Sequence, residues 1–258
     1  MLSLEQARDA ILAEITPAAA TETVSLAQAH GRFIARELRA QVDNPAFDNS
    51  AMDGYAVHAG DLAAAGFVLP RRGECRCGDA PATLAPGTTM RIFTGAPVPE
   101  GADTVVIQED VKTEGEKVIF PKSVQPGSHV RRRGEDFRGG DMLYPAGRRL
   151  SSYDLALLSA AGVAEIPVYP RARVLVAATG DELVTPGTPL RPGQIYESNR
   201  LATIFLLHEL GIEAADRGTI RDDPSELRAW LKSSADYDFV ITSGGASVGD
   251  HDLVKQVF

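Results

Sequence analysis

Residues 171–182 read RARVLVAATGDE, and this stretch decides the fold of the last third of the chain. Residues 174–178 are a continuous apolar run, which is typical of a parallel strand buried on both faces of its sheet. The run ends in the turn Thr179-Gly180-Asp181-Glu182. In open α/β sheets, ligands bind beyond the carboxyl ends of the strands. The stretch therefore predicts a buried strand followed by one side of a ligand site.

The residues after this strand alternate between helix and strand patterns. Apolar residues recur at helical spacing over residues 199–210, and Gly211 is suited to end that helix. Asp223-Pro224-Ser225-Glu226 is a typical helix start, with a capping residue, a proline in the first turn and a glutamate. Residues 239–242 form the next apolar run. This βαβα order predicts an α/β domain with a parallel sheet.

The second strand also ends in a glycine-rich turn, Ser243-Gly244-Gly245-Ala246-Ser247. Glycines let a backbone approach a ligand closely, and exposed N–H groups in such turns bind anions. The alternative is that the glycines only serve turns that need a positive φ. Neither turn matches the phosphate loop of NTPases or the dinucleotide-binding glycine pattern, which disfavours both classes of protein.

Several carboxylates lie near the predicted strand ends. Carboxylate oxygens suit a divalent cation, so these residues could hold one. Isolated carboxylates are, however, more often solvated surface groups, and Asp223 is more simply a helix cap. The remaining candidates are Asp181, Glu182, Asp222, Asp250 and Asp252.

The chain before residue 170 has a different pattern. Helical spacing predicts helices over residues 4–14, 26–34 and 151–162, with Ser3 as the N-cap of the first. Between residues 41 and 138, glycines and prolines separate short apolar runs, which predicts a β-rich domain. If the third helix packs on the first two, the β-rich region is an insertion into a helical domain.

The predicted fold class is therefore multidomain, combining α+β and α/β parts. We predict a helical N-terminal domain from residues 1–40 and 140–169, with an inserted β-rich domain at residues 41–139. The α/β domain occupies residues 170–258 and is shorter than the roughly 100–150 residues of a typical domain, so we expect it to be incomplete.

Composition excludes several classes of protein. The 258 residues carry a net charge of −9, which argues against general nucleic-acid binding because that needs clustered positive charge. No apolar run approaches the roughly 20 residues of a membrane span, and the start lacks the features of a signal peptide. Cys75 and Cys77 are too few for a structural zinc site, so we expect reduced thiols. These points favour the cytoplasm.

Three segments of the β-rich region carry unusual combinations of residues. Residues 48–56 read DNSAMDGYA, where turn chemistry explains the polar residues but leaves the apolar ones unexplained. Residues 94–99, TGAPVP, fit a proline-rich turn after a strand. Residues 131–136, RRRGED, concentrate guanidinium groups that suit phosphate binding, although charges on a strand edge also discourage edge pairing.

Taken together, these segments resemble the molybdopterin molybdenumtransferase family, called MoeA in bacteria and found as the E domain of gephyrin. The matching segments occur in the family's order and cover essentially the whole chain. They are residues 48–56, 94–103, 133–136, 179–183, 193–199 (GQIYESN), 222–224 and 242–249.

The resemblance implies an activity and an assembly. Such enzymes take adenylylated molybdopterin and molybdate, with Mg²⁺, insert molybdenum into the dithiolene and release AMP. It implies that the last domain is a MogA-like three-layer α/β domain that binds molybdopterin. It further implies a homodimer whose site lies between the β-rich domain of one subunit and the α/β domain of the other. The helical domain would serve dimerisation, and the molybdopterin adenylyltransferase is a possible contact.

Site residues follow from the resemblance position by position. Five match positions that the family uses in its active cleft: Asp53, Thr94, Asp136, Glu182 and Asp222. Ser243, Gly244, Gly245 and Ser247, with Thr179 and Gly180, match the turns that receive pterin phosphate or molybdate. Glu182 and Asp222 are the expected metal ligands.

The chain departs from the family at its end. Family members continue with Pro-Gly-Lys-Pro-like and Gly-Leu-Pro-Gly-Asn-Pro-like segments and a small β domain, none of which occurs here. We therefore expect part of the substrate pocket to be missing, which leaves the activity of this chain alone open. Two alternatives are a scaffold on the same fold, as gephyrin is at synapses, and a nucleotide-pyrophosphate hydrolase. The carboxylates favour an enzyme over a scaffold, and the β-rich region disfavours the hydrolase.

Overall fold

The structure is a computed structural model that describes residues 2–16 and 20–244. Its residues fall into two compact units. One unit is Thr23–Val168, and the other combines the residues up to Glu22 with those from Tyr169 onward. The three-part division made from the sequence stays a prediction.

The described residues form five α-helices and seventeen strands. The α-helices are α1 (Leu4–Glu14), α2 (Ala59–Ala64), α3 (Ser152–Ala160), α4 (Asn199–Glu209) and α5 (Pro224–Ser233). The first strands are β1 (Glu22–Ser25), β2 (Leu38–Arg39), β3 (Asn49–Ser50), β4 (Gly54–Val57), β5 (Val68–Cys75), β6 (Thr89–Ile92), β7 (Thr104–Ile107), β8 (Lys112–Glu114) and β9 (Lys117–Ile119). The later strands are β10 (Val130–Arg131), β11 (Met142–Tyr144), β12 (Glu165–Val168), β13 (Val174–Thr179), β14 (Leu183–Val184), β15 (Ile195–Tyr196), β16 (Ala214–Ile220) and β17 (Phe239–Ser243).

A mixed six-stranded sheet in the order β7-β4-β6-β5-β9-β8 forms the β-rich part of the first unit. Strand β4 lies inside this sheet and is buried along its whole length. Tyr55 and Val57 pack into one apolar cluster, whereas Ala56 packs into another on the opposite face. The alternation follows from the two-residue period of a strand. Apolar residues on both faces therefore hold residues 54–57 in the core, at the end of the segment 48–56.

The helix predicted over residues 26–34 is wrong. Only a 3₁₀ turn at Leu26–Gln28 forms there, and the chain then turns at Gly31, whose φ is 73°. The amide of Ile34 donates to the Arg148 carbonyl at 2.9 Å, so the segment pairs with the chain near residue 149 instead. Pairing with a distant segment has overridden the helical spacing of the apolar residues. Ala29 and Ile34 nevertheless share one buried cluster with Leu158 of α3. The packing of the third predicted helix on the first two stays a prediction.

Helices α1 and α3 begin as the sequence predicts. Ser3 and Gln6 form a reciprocal capping box at the start of α1, and Ser151 and Asp154 form another at the start of α3. Gly162, with a φ of 77°, follows the end of α3. None of the helices in the described ranges is long and apolar enough to cross a membrane.

The second unit contains the predicted parallel sheet, in the order β16-β13-β17. Leu175 and Ala177 face a cluster with Trp230 of α5, whereas Val174 and Val176 face one with Ile204 of α4. Helices therefore cover both faces of the sheet, which explains why β13 is apolar throughout. Asp223 caps α5 by accepting from the Ser225 and Glu226 amides, as predicted.

Candidate functional site

Asp53 and Thr94, two of the predicted site residues, are joined by two hydrogen bonds. Both the amide and the hydroxyl of Thr94 donate to Asp53 Oδ1, each at 2.8 Å. The Thr94 amide, the Thr94 hydroxyl and the nearby positive charge of Arg91 hold the pKa of Asp53 below its usual value. The carboxylate is thus fixed in orientation and ionised, while Oδ2 accepts no hydrogen bond from the described residues.

Glycine at position 54 is required by the approach of two strands. A Cβ built at this position would lie 2.1 Å from the carbonyl oxygen of Val106 in the neighbouring strand β7. No side chain fits at that distance, so any larger residue would push the strands apart. The closeness of β4 and β7 therefore determines where Asp53 leaves the sheet.

Arg91 lies over the same segment from strand β6. Its guanidinium group sits 5.3 Å from the Tyr55 ring centroid and 4.9 Å from that of Phe93, which are cation–π distances. Its Nη1 donates to the Gly54 carbonyl at 2.9 Å. The position of Arg91 beside Asp53 was not predicted from the sequence, because nothing in the local pattern distinguishes it from an ordinary strand cation.

The arginine-rich loop at residues 131–136 is paired with carboxylates. Arg131 binds Asp136 at 2.6 Å, Arg132 binds Asp48 at 2.6 Å, and Arg133 binds Asp43. Asp136 also accepts from the Asn44 side chain at 3.2 Å. The guanidinium groups thus neutralise carboxylates of this same unit. The sequence pattern left phosphate binding and strand-edge charge open, and the observed ion pairs account for all three arginines.

Strand β3 joins these elements. Asn49 and Ser50 pair with Arg131 and Val130 of β10. On its other side, Asn49 forms a bridge with Pro97, and the Gly95 amide donates to the Ser50 carbonyl at 2.8 Å. Residues 48–55 therefore lie between the turn at residues 94–98 and the loop at residues 130–136, which brings three of the segments that carry the resemblance together.

Cys77 lies against the turn that holds Thr94. Its Sγ is 2.9 Å from the Thr94 carbonyl oxygen and is exposed to solvent, whereas Cys75 is buried. Burial, with the nearby charge of Asp79, raises the pKa of the Cys75 thiol.

In the second unit, the predicted turns meet at the carboxyl edge of the sheet. Thr179 is in register with Ile220 of β16, and Ala178 with Ser243 of β17. Gly180 has a φ of 148° and Gly244 a φ of 93°, and a Cβ at Gly244 would lie 2.3 Å from the Thr179 carbonyl oxygen. The glycines therefore allow the two turns to pack closely.

Thr179 is buried at this edge with an exposure of 3%, and its hydroxyl has no hydrogen-bond partner within the described part of the chain. Gly245 and Ser247, the other predicted residues of this loop, lie outside the described residues. The predicted ligand edge thus contains Thr179, Gly180, Ser243 and Gly244, with an unpaired hydroxyl next to it.

Asp222 follows β16 at the same edge. Burial and the negative charges of Asp181 and Glu182 raise the pKa of Asp222, against the effect of a hydrogen bond from the Asp181 amide. Among residues 2–16 and 20–244, no three His, Cys, Asp or Glu side chains are arranged to hold a metal ion by themselves. The described residues therefore offer the clustered carboxylates Asp181, Glu182 and Asp222 rather than a complete metal cage.

Comparison with known proteins assigns the chain to a family. A family model described as "MoeA N-terminal region (domain I and II)" matches residues 2–162. The chain belongs to the MoeA family. A second model, "Probable molybdopterin binding domain", matches residues 175–258 of this MoeA-family chain. Both the predicted family and the predicted fold class, with its MogA-like last domain, are confirmed.

Relatives match along the whole chain. A protein of Haemophilus influenzae named molybdopterin molybdenumtransferase is 39% identical over 260 residues, covering 100% of this chain and 64% of the relative. Molybdopterin molybdenumtransferase 2 of Mycobacterium tuberculosis is 41% identical over 259 residues, covering 98% and 64%. A solved molybdopterin biosynthesis MoeA protein of Pyrococcus horikoshii OT3 has a TM-score of 0.83 at 31% identity, covering 93% and 65%. The chain thus spans 64% of the length of these curated relatives.

Proposed function

We propose that the full-length protein is a molybdopterin molybdenumtransferase. It takes adenylylated molybdopterin and molybdate, inserts molybdenum into the dithiolene with Mg²⁺ present, and releases AMP. The observation that carries this proposal is the clustering of the family's segments. Residues 48–55 lie between the turn at residues 94–98 and the loop at residues 130–136, and the turns after β13, β16 and β17 share one sheet edge.

The anionic part of the substrate would bind at that sheet edge. The glycine turns at Gly180 and Gly244 bring the chain close together at this edge, and exposed N–H groups in such turns bind anions such as phosphate or molybdate. The Thr179 hydroxyl, which has no hydrogen-bond partner among residues 2–16 and 20–244, can donate to an oxygen of such an anion. Ser243, Gly245 and Ser247 would complete the anion site.

Glu182 and Asp222 fit a role as Mg²⁺ ligands. Mg²⁺ is commonly held by one or two carboxylates together with substrate phosphates and water, so a complete protein cage is not required. Partial desolvation raises the pKa of Asp222, and so do the negative charges of Asp181 and Glu182, whose repulsion a divalent cation would relieve. The cation would neutralise charge on the pyrophosphate. The carboxylates of Glu182 and Asp222 would hold the cation next to the pyrophosphate.

Asp53 and Thr94 would hold the substrate from the first unit. Asp53 is ionised and oriented by Thr94, which leaves Oδ2 free to accept a hydrogen bond from a ligand N–H or from a water molecule. Asp136 would contribute a second carboxylate next to the same segment. We also propose a homodimer, contact with the molybdopterin adenylyltransferase and a cytoplasmic location, as the family resemblance implies.

The test is cofactor synthesis with the full-length protein, adenylylated molybdopterin, molybdate and Mg²⁺. We expect AMP release and molybdenum insertion, and loss of either by about 100-fold in Asp53→Asn, Glu182→Gln and Asp222→Asn. The matched controls are Asp61→Asn and Asp238→Asn, since these carboxylates also accept backbone N–H groups but lie outside the proposed site. No AMP release by the unmodified protein would support the scaffold instead. Equal losses in controls and site variants would show that the site is wrongly assigned.

A further inference from the structure

Among the described residues of the second unit, the most buried carboxylate belongs to Glu197, in the segment GQIYESN that the proposed site does not use. Glu197 has an exposure of 3%, and its Oε2 lies 3.5 Å from Nε of Arg200, whose side chain is 10% exposed. Nη1 of Arg200 forms a second ion pair with Asp216 of β16. Arg200 thus joins two carboxylates from different parts of the chain.

Burial of the Glu197–Arg200 pair needs a reason other than stability, whereas the third member, Asp216, is 46% exposed. Removing charges from water costs about as much as their attraction returns, and apolar side chains of similar size often stabilise a protein equally well. An ion pair such as Glu197–Arg200 that is retained in the interior therefore points to a need for a defined geometry. Its hydrogen bonds indicate which geometry it sets.

Glu197 is tied to the chain that carries Glu182. The Ile195 amide donates to the Glu182 carbonyl at 2.9 Å, and the Glu197 amide donates to the Val184 carbonyl at 3.0 Å. These bonds fix the acidic turn to β15. Glu197 Oε1 then accepts from the Arg200 amide at 2.6 Å, at the start of α4 where the N-cap Ser198 makes no side-chain bond.

Asp216 is tied to the chain that carries Asp222. It lies on β16, where the pairing with β13 shifts register, and its Oδ1 accepts from the Gly218 amide at 2.8 Å. Strand β16 continues to Ile220 and leads directly to Asp222. Arg200 therefore bridges two backbone segments. One is residues 182–197, which begins with Glu182, and the other is β16, which leads to Asp222.

We propose that Glu197, Arg200 and Asp216 are positioning residues that fix the spacing of Glu182 and Asp222. This proposal rests on the function proposed above, because that function requires the two carboxylates to act on one ligand. The network does not touch the ligand. It acts through the backbone of residues 182–184 and 216–222.

The first test is hydrogen exchange of the full-length protein in Glu197→Gln and Asp216→Asn. We expect Glu197→Gln to speed up exchange over residues 182–198. Asp216→Asn should cause a smaller increase, over residues 216–222. The matched control is Asp154→Asn, which also breaks a pair between a buried carboxylate and an arginine, Arg148, but in the other unit. Exchange at residues 182–198 that stays at the unmodified rate in Glu197→Gln would overturn the proposal, whether or not the enzyme assay works.

The second test measures the Mg²⁺ concentration that gives half-maximal AMP release. We expect Glu197→Gln to raise it by about 10-fold, the size of effect seen for residues that orient metal ligands, and Asp154→Asn to leave it unchanged. The double variant Glu197→Gln with Arg200→Gln removes both buried charges and leaves only the half-exposed Asp216. It should recover thermal stability without recovering the Mg²⁺ dependence. Recovery of both together would show that the network only stabilises the fold. Full activity of Glu182→Gln and Asp222→Asn would instead overturn the proposed function and leave the exchange result standing.

Discussion

The two groups of acidic residues differ in what surrounds them. In the first unit, Asp53 accepts two hydrogen bonds from Thr94 and lies near Arg91, so its pKa is lowered. In the second unit, partial desolvation and the negative charges of Asp181 and Glu182 raise the pKa of Asp222. Protein groups donate hydrogen bonds to Asp53, whereas Asp181, Glu182 and Asp222 concentrate negative charge at a sheet edge. The first is therefore built for orientation, and the second is suited to receive a cation.

The largest effect should come from Gly54→Ala, which tests whether the first group depends on strand packing. The new methyl group would lie 2.1 Å from the Val106 carbonyl oxygen, so β4 and β7 must separate. We expect a loss of about 3 kcal/mol in the free energy of unfolding, as for severe overpacking of a core. Urea unfolding provides the measurement.

Gly115→Ala is the matched control for Gly54→Ala. Gly115 has a φ of 58°, but a Cβ added there would meet no atom within 4 Å, so only the backbone conformation is penalised, by about 1 kcal/mol. Equal losses at the two positions would mean that the strand approach is not the constraint.

Arg91→Met should produce the next largest effect. It removes the cation–π contacts with Tyr55 and Phe93 and the bond to the Gly54 carbonyl, for a loss of about 2 kcal/mol in unfolding free energy. Arg72→Met is the control, since Arg72 is an exposed residue paired only with Glu116 at 3.5 Å. If both variants were equally stable, Arg91 would be an ordinary surface cation.

Thr94→Val should have a smaller effect, and one that depends on pH. The lowered pKa of Asp53 means that its contribution to stability is present above its unfolded pKa and is lost as the pH falls through its folded pKa. Valine removes the hydroxyl donor, so the stability difference from the unmodified protein should shrink as the pH drops below about 4. Thermal unfolding across pH checks this, with Thr113→Val on the exposed strand β8 as control. A difference independent of pH would contradict the role of Asp53.

Asp222→Asn should have the smallest effect on the free energy of unfolding. Unlike the other variants, it should stabilise the protein. A carboxylate with a raised pKa stabilises the fold only while it is protonated, and that contribution is lost as the pH rises through its folded pKa. Because Asp222 is exposed and screened by solvent, we expect the variant to be only about 0.5 kcal/mol more stable at neutral pH. The gain should vanish near about pH 3, where the carboxyl is protonated in both states. A loss of stability at neutral pH would remove the contrast between the two groups.

Elements with a simple burial pattern were predictable from the sequence. Strand β13 is covered by helices on both faces and is apolar throughout, and the caps at Ser3, Ser151 and Asp223 have local signatures. Strand β16 was not identified from the sequence. It lies at the edge of the described sheet, next to β13, and its sequence AADRGTI mixes polar and apolar residues. Its pairing with β13 also shifts register near Arg217. The false helix at residues 26–34 failed because pairing with residues 148–150 is a non-local contact.

The candidate site was predictable only in part, for a similar reason. Glycine turns after apolar strands can be read locally, so the sheet edge at Thr179 and Gly244 was found. The roles of Arg91 and Asp48 depend on partners far away in the sequence: Arg91 bonds to Gly54, and Asp48 pairs with Arg132. The Glu197 network was missed because a single glutamate in a polar segment carries no sign of burial.

The contact of Cys77 with Thr94 offers a practical route into the site. Cys75 is buried and its thiol pKa is raised, so a maleimide dye or spin label should react with the exposed Cys77 of this chain first. The attached probe would then sit against the turn that orients Asp53. Fluorescence or electron paramagnetic resonance could report there on ligand arrival, without the introduction of any new residue.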